Sequence, residues 1–541
     1  MEHALAEEAL MRIRGLNAAF ILLFSGYALF LVSALPSYGP TWDVLLEFPR
    51  ATAYLDNILG NTTPSRISPW HQLSYEKAQS SYGGSLNGCL PSIIAAASGK
   101  ILFEKLGLTN YIDAYHFGLV LLWLVFIIHF YAMLSKLHDR RLALVATVLL
   151  ALAPRVLGHV PNNMKDIPAL AFATSSVLEL AVAVTHNRPR RIFLAGLLFA
   201  CAISSKFTAA IVVVPALVFL YQSFRKSDIP KAFLLPIVAV PFITIAVFFI
   251  HWPYLWALPP SLWKRLAALV AFIGIRKGGG VPTFYPVVMA MATTPPLILF
   301  GLSLAPIVSF RPPPLKRHET LLLVLYTSWM FIVLLVYCTG RIALFDGVRH
   351  FLLFLPPATV LAAWGITRAF DMVNKESRFL RNIPRRRSEV LVGLAILGVS
   401  ILPVISYHPY ETTYFNTFVG GLRGATLIRF GPEVLDYEPR DYWGTSIRSI
   451  IKWVNHSLPD GSTLWISIPP ELGASFTLRT GLSFVRPDRR QPGKPFYLIF
   501  INRKDFFTRL EYEAMIKGKL VHKVSIKGVP LSYVYKMPEI R

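Results

Sequence analysis

The sequence predicts an α-helical polytopic membrane protein with about eleven spans, closed at its C-terminal end by a small α/β domain. Three observations carry that expectation. The chain has 541 residues, of which 54% are hydrophobic and only 16% charged, whereas a soluble domain carries about a quarter charged residues. Long apolar runs recur from residue 15 to residue 407 with short basic connections between them. Beyond His408 the pattern changes to short β-type runs alternating with amphipathic helical ones.

The apolar runs lie at roughly 15–36, 110–134, 142–160, 167–186, 192–205, 207–224, 232–251, 286–310, 319–338, 351–370 and 390–407. Most are long enough for a bilayer core of about 30 Å; the fifth is short. The stretch before the first run is amphipathic and mixed in charge, and no cleavable signal peptide is expected. Alternate connections hold Lys136/Arg140/Arg141, Arg188/Arg190/Arg191, Arg225/Lys226/Lys231, Arg311/Lys316/Arg317 and Arg385/Arg386/Arg387. With Arg12 and Arg14 they fall on one side only if 192–224 is a hairpin of two spans. The positive-inside rule then puts the N-terminus in the cytoplasm and the tail outside. The same rule absorbs much of the net charge of +24, which argues against nucleic acid as a partner.

Two connections on the opposite side are long. The first, about 37–109, contains the amphipathic pieces Val44–Leu59 and Leu86–Leu106, suited to lie along a membrane surface. The second, His251–Pro286, carries Trp252, Trp256 and Trp263 and the run Arg276-Lys277-Gly278-Gly279-Gly280, which could cover a site. In the tail, strands are expected at Thr463–Ile468, Pro495–Ile501, Leu520–Ile526 and Leu531–Lys536, and helices at Thr445–Ser457 and Lys504–Lys517. This divides the chain into a membrane module over 1–407 and an extracytoplasmic α/β domain over 408–541. Cys89, Cys201 and Cys338 have no CxxC spacing, so neither a disulfide framework nor a zinc site is expected.

The predicted topology gathers unusual polar groups on the outer face. Asp43 follows the first span, Lys165 and Asp166 occupy the turn between the third and fourth, and Lys206 lies between the fifth and sixth. Arg341, Asp346, Arg349 and His350 lie between the ninth and tenth. Charges at membrane depth are costly and point to function. Snorkelling explains a single Lys or Arg equally well, and Asp43 or Asp166 could simply cap a helix. Two carboxylates and several cations on one surface say more. Cations at the interface suit the phosphate of a lipid, and a carboxylate beside them suits removal of a proton from an attacking hydroxyl.

These residues also resemble a known family. Asp43, Asn163-Met164-Lys165-Asp166-Ile167-Pro168, Ser204-Ser205-Lys206-Phe207-Thr208 and Gly347-Val348-Arg349-His350-Phe351 follow in order. They are similar to the C-type (GT-C) glycosyltransferases of family 39, which include protein O-mannosyltransferases and the lipid A aminoarabinose transferase. Ser81-Tyr82-Gly83, His408-Pro409-Tyr410, Tyr414-Phe415-Asn416, Gly420-Gly421 and Asp441-Tyr442-Trp443-Gly444 extend the resemblance over about residues 15–445. It implies a polyprenyl-phosphate sugar donor and inversion at the sugar carbon. Asp43 becomes the base and Asp166 a second acid. Lys206, Arg349 and His350 become donor-phosphate ligands, and Lys165, Tyr82 and Arg276 further site residues. Two departures stand out: Val44 follows Asp43 where protein mannosyltransferases commonly have a second acid, and His350 stands where a Tyr is frequent. The acceptor, protein or glycolipid or glycan, stays open, as does a divalent metal near Asp43; no other cofactor is implied. The competing readings are a secondary transporter or lipid flippase, against which no repeat is visible, and a structural envelope subunit.

Overall fold

The computed structural model describes residues 2–60, 88–225, 229–256, 258–274, 283–311, 314–340, 344, 347–376, 384–427, 440–468 and 478–538. Every predicted apolar run is helical within them. Helix α1 (Glu2–Ala34) is followed by α2 (Trp42–Ile58) and α3 (Leu90–Gly99), which lie in the first long connection as the amphipathic pattern requires. Then come α4 (Tyr111–Leu137), α5 (Arg140–Ala151), α6 (Pro154–His159), α7 (Asp166–Thr185) and α8 (Arg191–Ser205). A 3₁₀ turn (Phe207–Val212) leads into α9 (Val213–Phe224). Next are α10 (Lys231–His251), α11 (Ser261–Gly274), α12 (Tyr285–Thr293), α13 (Pro296–Ser309) and α14 (Arg317–Cys338). A second 3₁₀ segment (Gly347–Phe354) precedes α15 (Leu355–Glu376), and α16 (Arg385–Tyr407) ends the run.

Among the described residues eight helices are long and apolar enough to cross a membrane, nine if the bent pair α12 and α13 forms one span. Within a bilayer a helix satisfies its own backbone, which is why the apolar runs take this form. The difference from eleven has a local cause. The run 142–160 is broken between α5 and α6 where Pro154 opens a new helix, and the run 286–310 bends by 110° at Pro295-Pro296. Proline lacks the amide hydrogen and clashes with the preceding turn. The short fifth run forms a helix of 15 residues, α8. An integral membrane protein of helical architecture is what these elements make.

The helices share one core, from Leu31 and Tyr38 through Trp123, Phe130 and Leu157 to Trp329, Phe351 and Phe415. α13 and α15 cross almost backbone to backbone: a Cβ on Gly365 would lie 2.2 Å from the Gly301 carbonyl oxygen. Small residues at such crossings allow close approach. α10 and α16 turn Leu235, Phe242, Leu394 and Leu402 outward, as surfaces meeting lipid do. At one end of the bundle Arg141 holds Asp371 bidentately, at 2.8 Å on each oxygen, and Arg385 also reaches Asp371 at 2.8 Å.

Beyond α16 a short helix α17 (Gly421–Ala425) packs back on the bundle, and then the sheet domain begins with α18 (Ile447–Ser457). Its strands are β1 (Thr463–Ile468), β2 (Ser483–Phe484), β3 (Phe496–Ile501), β4 (Lys519–Ile526) and β5 (Val529–Lys536), with α19 (Arg509–Lys517) before β4. The order is β2-β1-β3-β5-β4; β1 runs parallel to β2 and β3, and the β3–β5 and β5–β4 pairs are antiparallel. The four expected strands and both helices are present, the second helix beginning at Arg509 after a 3₁₀ turn at Lys504–Phe506; among the described residues the two-residue strand β2 was not anticipated. β3 is buried along its whole length, and α18 lays Ile447, Ile450, Ile451 and Val454 against the sheet. The domain is tied to the helices by Arg448, which donates to Asp113 Oδ2 at 2.9 Å and to the Tyr38 carbonyl at 2.8 Å.

Candidate active site

Four separate elements deliver charged side chains to one point. Thr41 is the N-cap of α2 and Asp43 lies in its first turn, so Asp43 does not serve as the cap. The chain before it passes under the sheet domain: a Cβ on Gly39 would lie 2.2 Å from the Thr445 carbonyl oxygen. Asp166 is the first residue of α7 and is held by the preceding turn. Asn163 Oδ1 accepts from the amides of Asp166 at 2.7 Å and Lys165 at 3.2 Å, and its Nδ2 donates to Asp166 Oδ2 at 2.8 Å. Lys206 follows α8 in extended conformation, where the carbonyl of Ser204 presses against Gly88 so closely that no Cβ fits there. Arg349 and His350 sit in the 3₁₀ segment before α15, both buried.

The groups meet. Arg349 Nη1 lies 3.4 Å from Asp43 Oδ2 and 3.4 Å from Asp166 Oδ2, so one guanidinium edge bridges both carboxylates. Lys206 Nζ donates to Asp166 Oδ1 and lies 3.1 Å from His350 Nδ1. Asp166 is thus engaged on both oxygens, and its side chain is 3% exposed, whereas that of Asp43 is 21% exposed. The more accessible of the two is Asp43. A small pocket opens beside them, lined by Asp166, Lys206, Thr208, Tyr337, Arg349 and His350.

Lys165 completes the cationic side. Its ammonium pairs with Glu47, one helical turn after Asp43 on α2, and Glu47 also pairs with Arg50. Burial pushes the Lys165 ammonium down to about 8, with the Asp43 carboxylate pulling the other way. Of the sequence-predicted set, Asp43, Asp166, Lys165, Lys206, Arg349 and His350 therefore come together. Tyr82, Arg276, Arg341 and Asp346 lie outside the described residues. Among the described residues no group of three or more His, Cys, Asp or Glu side chains is arranged to hold a metal ion.

Glu47 and Trp443 escaped the sequence reading as individual site residues. Glu47 had a signal: Asp43, Glu47 and Arg50 follow at i, i+4 and i+7, one face of a helix. Trp443 stood within the Asp441-Tyr442-Trp443-Gly444 motif of the resemblance but with no role assigned to it; its ring lies under the Arg349 guanidinium at 4.8 Å.

Residues 102–252 match the family model of the dolichyl-phosphate-mannose-protein mannosyltransferases. The matched stretch runs from the end of the first long connection to Trp252 and includes Lys165, Asp166 and Lys206. The match covers part of the chain and agrees with the resemblance of its motifs to the C-type membrane glycosyltransferases. No curated protein matches at a significant level. Among solved structures the chain is similar to ArnT from Cupriavidus metallidurans bound to undecaprenyl phosphate, with 12% identity, a TM-score of 0.48, and 95% of this chain and 98% of that one covered. It is also similar to the oligosaccharyltransferase of Archaeoglobus fulgidus tethered to an acceptor peptide, with 13% identity, a TM-score of 0.41 and coverages of 86% and 64%. The arabinofuranosyltransferase AftD from Mycobacteria follows with 14% identity, a TM-score of 0.40 and coverages of 97% and 40%.

Proposed function

We propose that this glycosyltransferase moves a sugar from a polyprenyl-phosphate carrier to an acceptor hydroxyl at the extracytoplasmic face, with inversion at the sugar carbon. The observation that carries the reading is the convergence of Asp43, Asp166, Arg349 and Lys206 beside a pocket at one end of the helices. The family match, whose members take their name from a dolichyl-phosphate sugar, supports the class of donor.

Asp43 is the base in this reading because it is the more open carboxylate and rests on a single guanidinium nitrogen. It takes the proton as the acceptor oxygen attacks the sugar carbon. The bond from that carbon to the phosphate oxygen breaks, and its electron pair leaves with the polyprenyl phosphate. Lys206, Arg349 and His350 meet the growing negative charge on that phosphate, the stabilisation that preorganised cations supply best in a dry site. Asp166, buried between Lys206 and Arg349, keeps both cations in place when no phosphate is present. Lys165 lies on the acceptor side with Asp43. An acceptor that is a protein, a glycolipid or a glycan would each offer the hydroxyl the site needs.

The same reading includes a plasma (inner) membrane location with a cytoplasmic N-terminus, a membrane module over 1–407 and an extracytoplasmic domain over 408–541. It is supported by the basic connections, of which Arg141 and Arg385 meet at one end of the bundle.

The test is Asp43→Asn, assayed for sugar transfer from a purified lipid donor in nanodiscs. Removing a general base is expected to lower turnover by about 10²–10⁴-fold, while donor binding stays near wild type. Asparagine is close to aspartate in shape, so a purely structural Asp43 would leave turnover unchanged. That result would remove it from the mechanism and leave Asp166 as the candidate. A transporter or flippase would instead move the lipid without any sugar transfer in wild type.

A further inference from the structure

The segment that leads from the helices into the sheet domain enters the site. Asp441 folds it into a tight turn. Its Oδ1 accepts from the amides of Gly444 at 2.9 Å and Thr445 at 3.1 Å, and its Oδ2 from the amide of Ser446 at 2.6 Å. The turn is fastened from both sides. The Tyr442 hydroxyl lies 3.2 Å from His159 Nε2 at the end of α6, and Arg503 donates to the Tyr442 carbonyl at 2.7 Å from the sheet domain. The Thr445 carbonyl presses on Gly39, four residues before Asp43.

What this turn carries is Trp443, 1% exposed. Its ring stands edge to face with His159, centroids 4.9 Å apart at 88°, and the Arg349 guanidinium lies 4.8 Å from its centre. A guanidinium stacked on an aromatic face keeps its N–H donors in their own plane, free to reach anions at the edge. The ring thus bears on the guanidinium while Nη1 reaches Asp43 and Asp166, without competing for that nitrogen. The indole Nε1–H is buried and has no hydrogen-bond partner among the described residues.

We infer that Trp443 is a positioning residue of the transferase site: it holds the Arg349 guanidinium in register for the donor phosphate, making the tail domain part of the catalytic unit. The inference rests on the proposed function, since it presumes that Arg349 meets a phosphate. It follows that the sheet domain is more than an appendage, because the turn holding Trp443 is fastened to it through Arg503 and through the Ser446 hydroxyl, 2.8 Å from Ser532 Oγ on β5.

Binding of undecaprenyl phosphate to the full chain in detergent micelles tests this. Trp443→Leu removes the aromatic face and is expected to raise Kd about thirtyfold, the size of a desolvated cation–π contact. Trp443→Phe keeps a face and should stay within about threefold of wild type. In an Arg349→Met background no cation remains to meet the ring, so adding Trp443→Leu should change Kd no further. A tryptophan that merely fills space would weaken binding equally in both backgrounds, and that equality would overturn the inference, as would an unchanged Kd in Trp443→Leu. Should Trp443→Leu fail to fold, Trp443→Met, which also lacks a ring face, decides in the two backgrounds: a loss with Arg349 present that vanishes in Arg349→Met supports the role, and a loss of equal size in both overturns it. Absence of undecaprenyl phosphate binding by wild type would overturn both this inference and the donor reading. Wild-type turnover in Asp43→Asn would overturn only the role of that base.

Discussion

Asp166 and Asp43 are both carboxylates beside Arg349, yet their surroundings differ. Asp166 spends both oxygens on cations and on Asn163, deep in the site. A buried charge in that state is a holding device, because separating it from its partners leaves an uncompensated ion. Asp43 has one such contact, at 3.4 Å, and an open side. The cations in turn are held where a phosphate could replace a carboxylate as their partner. Lys206→Ala and Arg349→Ala are therefore expected to weaken donor binding, each by roughly 1.5–3 kcal/mol or about 10–150-fold, with a smaller change in thermal stability. Titration of both variants with the lipid donor checks this, and unchanged affinity in both would remove them from the phosphate. At this scale the sequence was informative because charges at membrane depth are rare: Asp43, Asp166, Lys206 and Arg349, each ambiguous alone, stood out as a set on one predicted face. Glu47 was hidden, since a charge on an amphipathic surface helix looks like part of its solvated face. Trp443 was hidden for another reason. Nothing in a tail sequence states which aromatic side chain folds back onto the helices.

The helices show the same division between what hydropathy dictates and what it does not. Run length and polarity marked each apolar helix, because a bilayer leaves the backbone no alternative. The breaks were not marked. Pro154 and Pro295-Pro296 interrupt their runs, but Pro236, Pro241, Pro306 and Pro403 lie inside helices that continue past them. Whether a proline breaks or bends a helix depends on what its neighbours offer the freed carbonyl, which is a tertiary matter. The same holds for Gly301 and Gly365, which look like ordinary apolar-run glycines in sequence. In the fold they are the contact that lets α13 meet α15, the helix that follows the Arg349 segment directly. Gly365→Leu would drive a side chain into the Gly301 backbone, and overpacking of a tight core costs about 1–3 kcal/mol or more. The variant is expected to unfold at lower temperature and to lose donor affinity in parallel, whereas Gly393→Leu, whose Cβ meets nothing within 4 Å, should match wild type. Thermal unfolding in detergent distinguishes them; equal stability of the two variants would mean that α13 and α15 are not in close contact.

For the whole molecule, the proposed orientation rests on where the charges lie. The connections rich in Lys and Arg alternate along the chain with those that carry the site. The fold keeps the two sets apart: Arg141, Asp371, Arg385 and Glu389 cluster together, while Asp43, Asp166, Lys206 and Arg349 form a separate cluster. The sheet domain is bound at the site, through Arg448 to Asp113 and through Trp443 to Arg349, so it shares the compartment in which transfer would occur. Under the proposed function that shared compartment is the outer one, the side to which the positive-inside rule would also assign it. With the three native cysteines replaced by serine, a cysteine at position 139, in the turn between α4 and α5, should react with an impermeant thiol reagent only after the membrane is opened. A cysteine at position 460, in the turn before β1, should react in intact cells. The two positions test opposite ends of the bundle, so labelling of both from one side would mean an odd number of crossings has been gained or lost between them. The break at Pro154 and the bend at Pro295-Pro296 are where that crossing would be found.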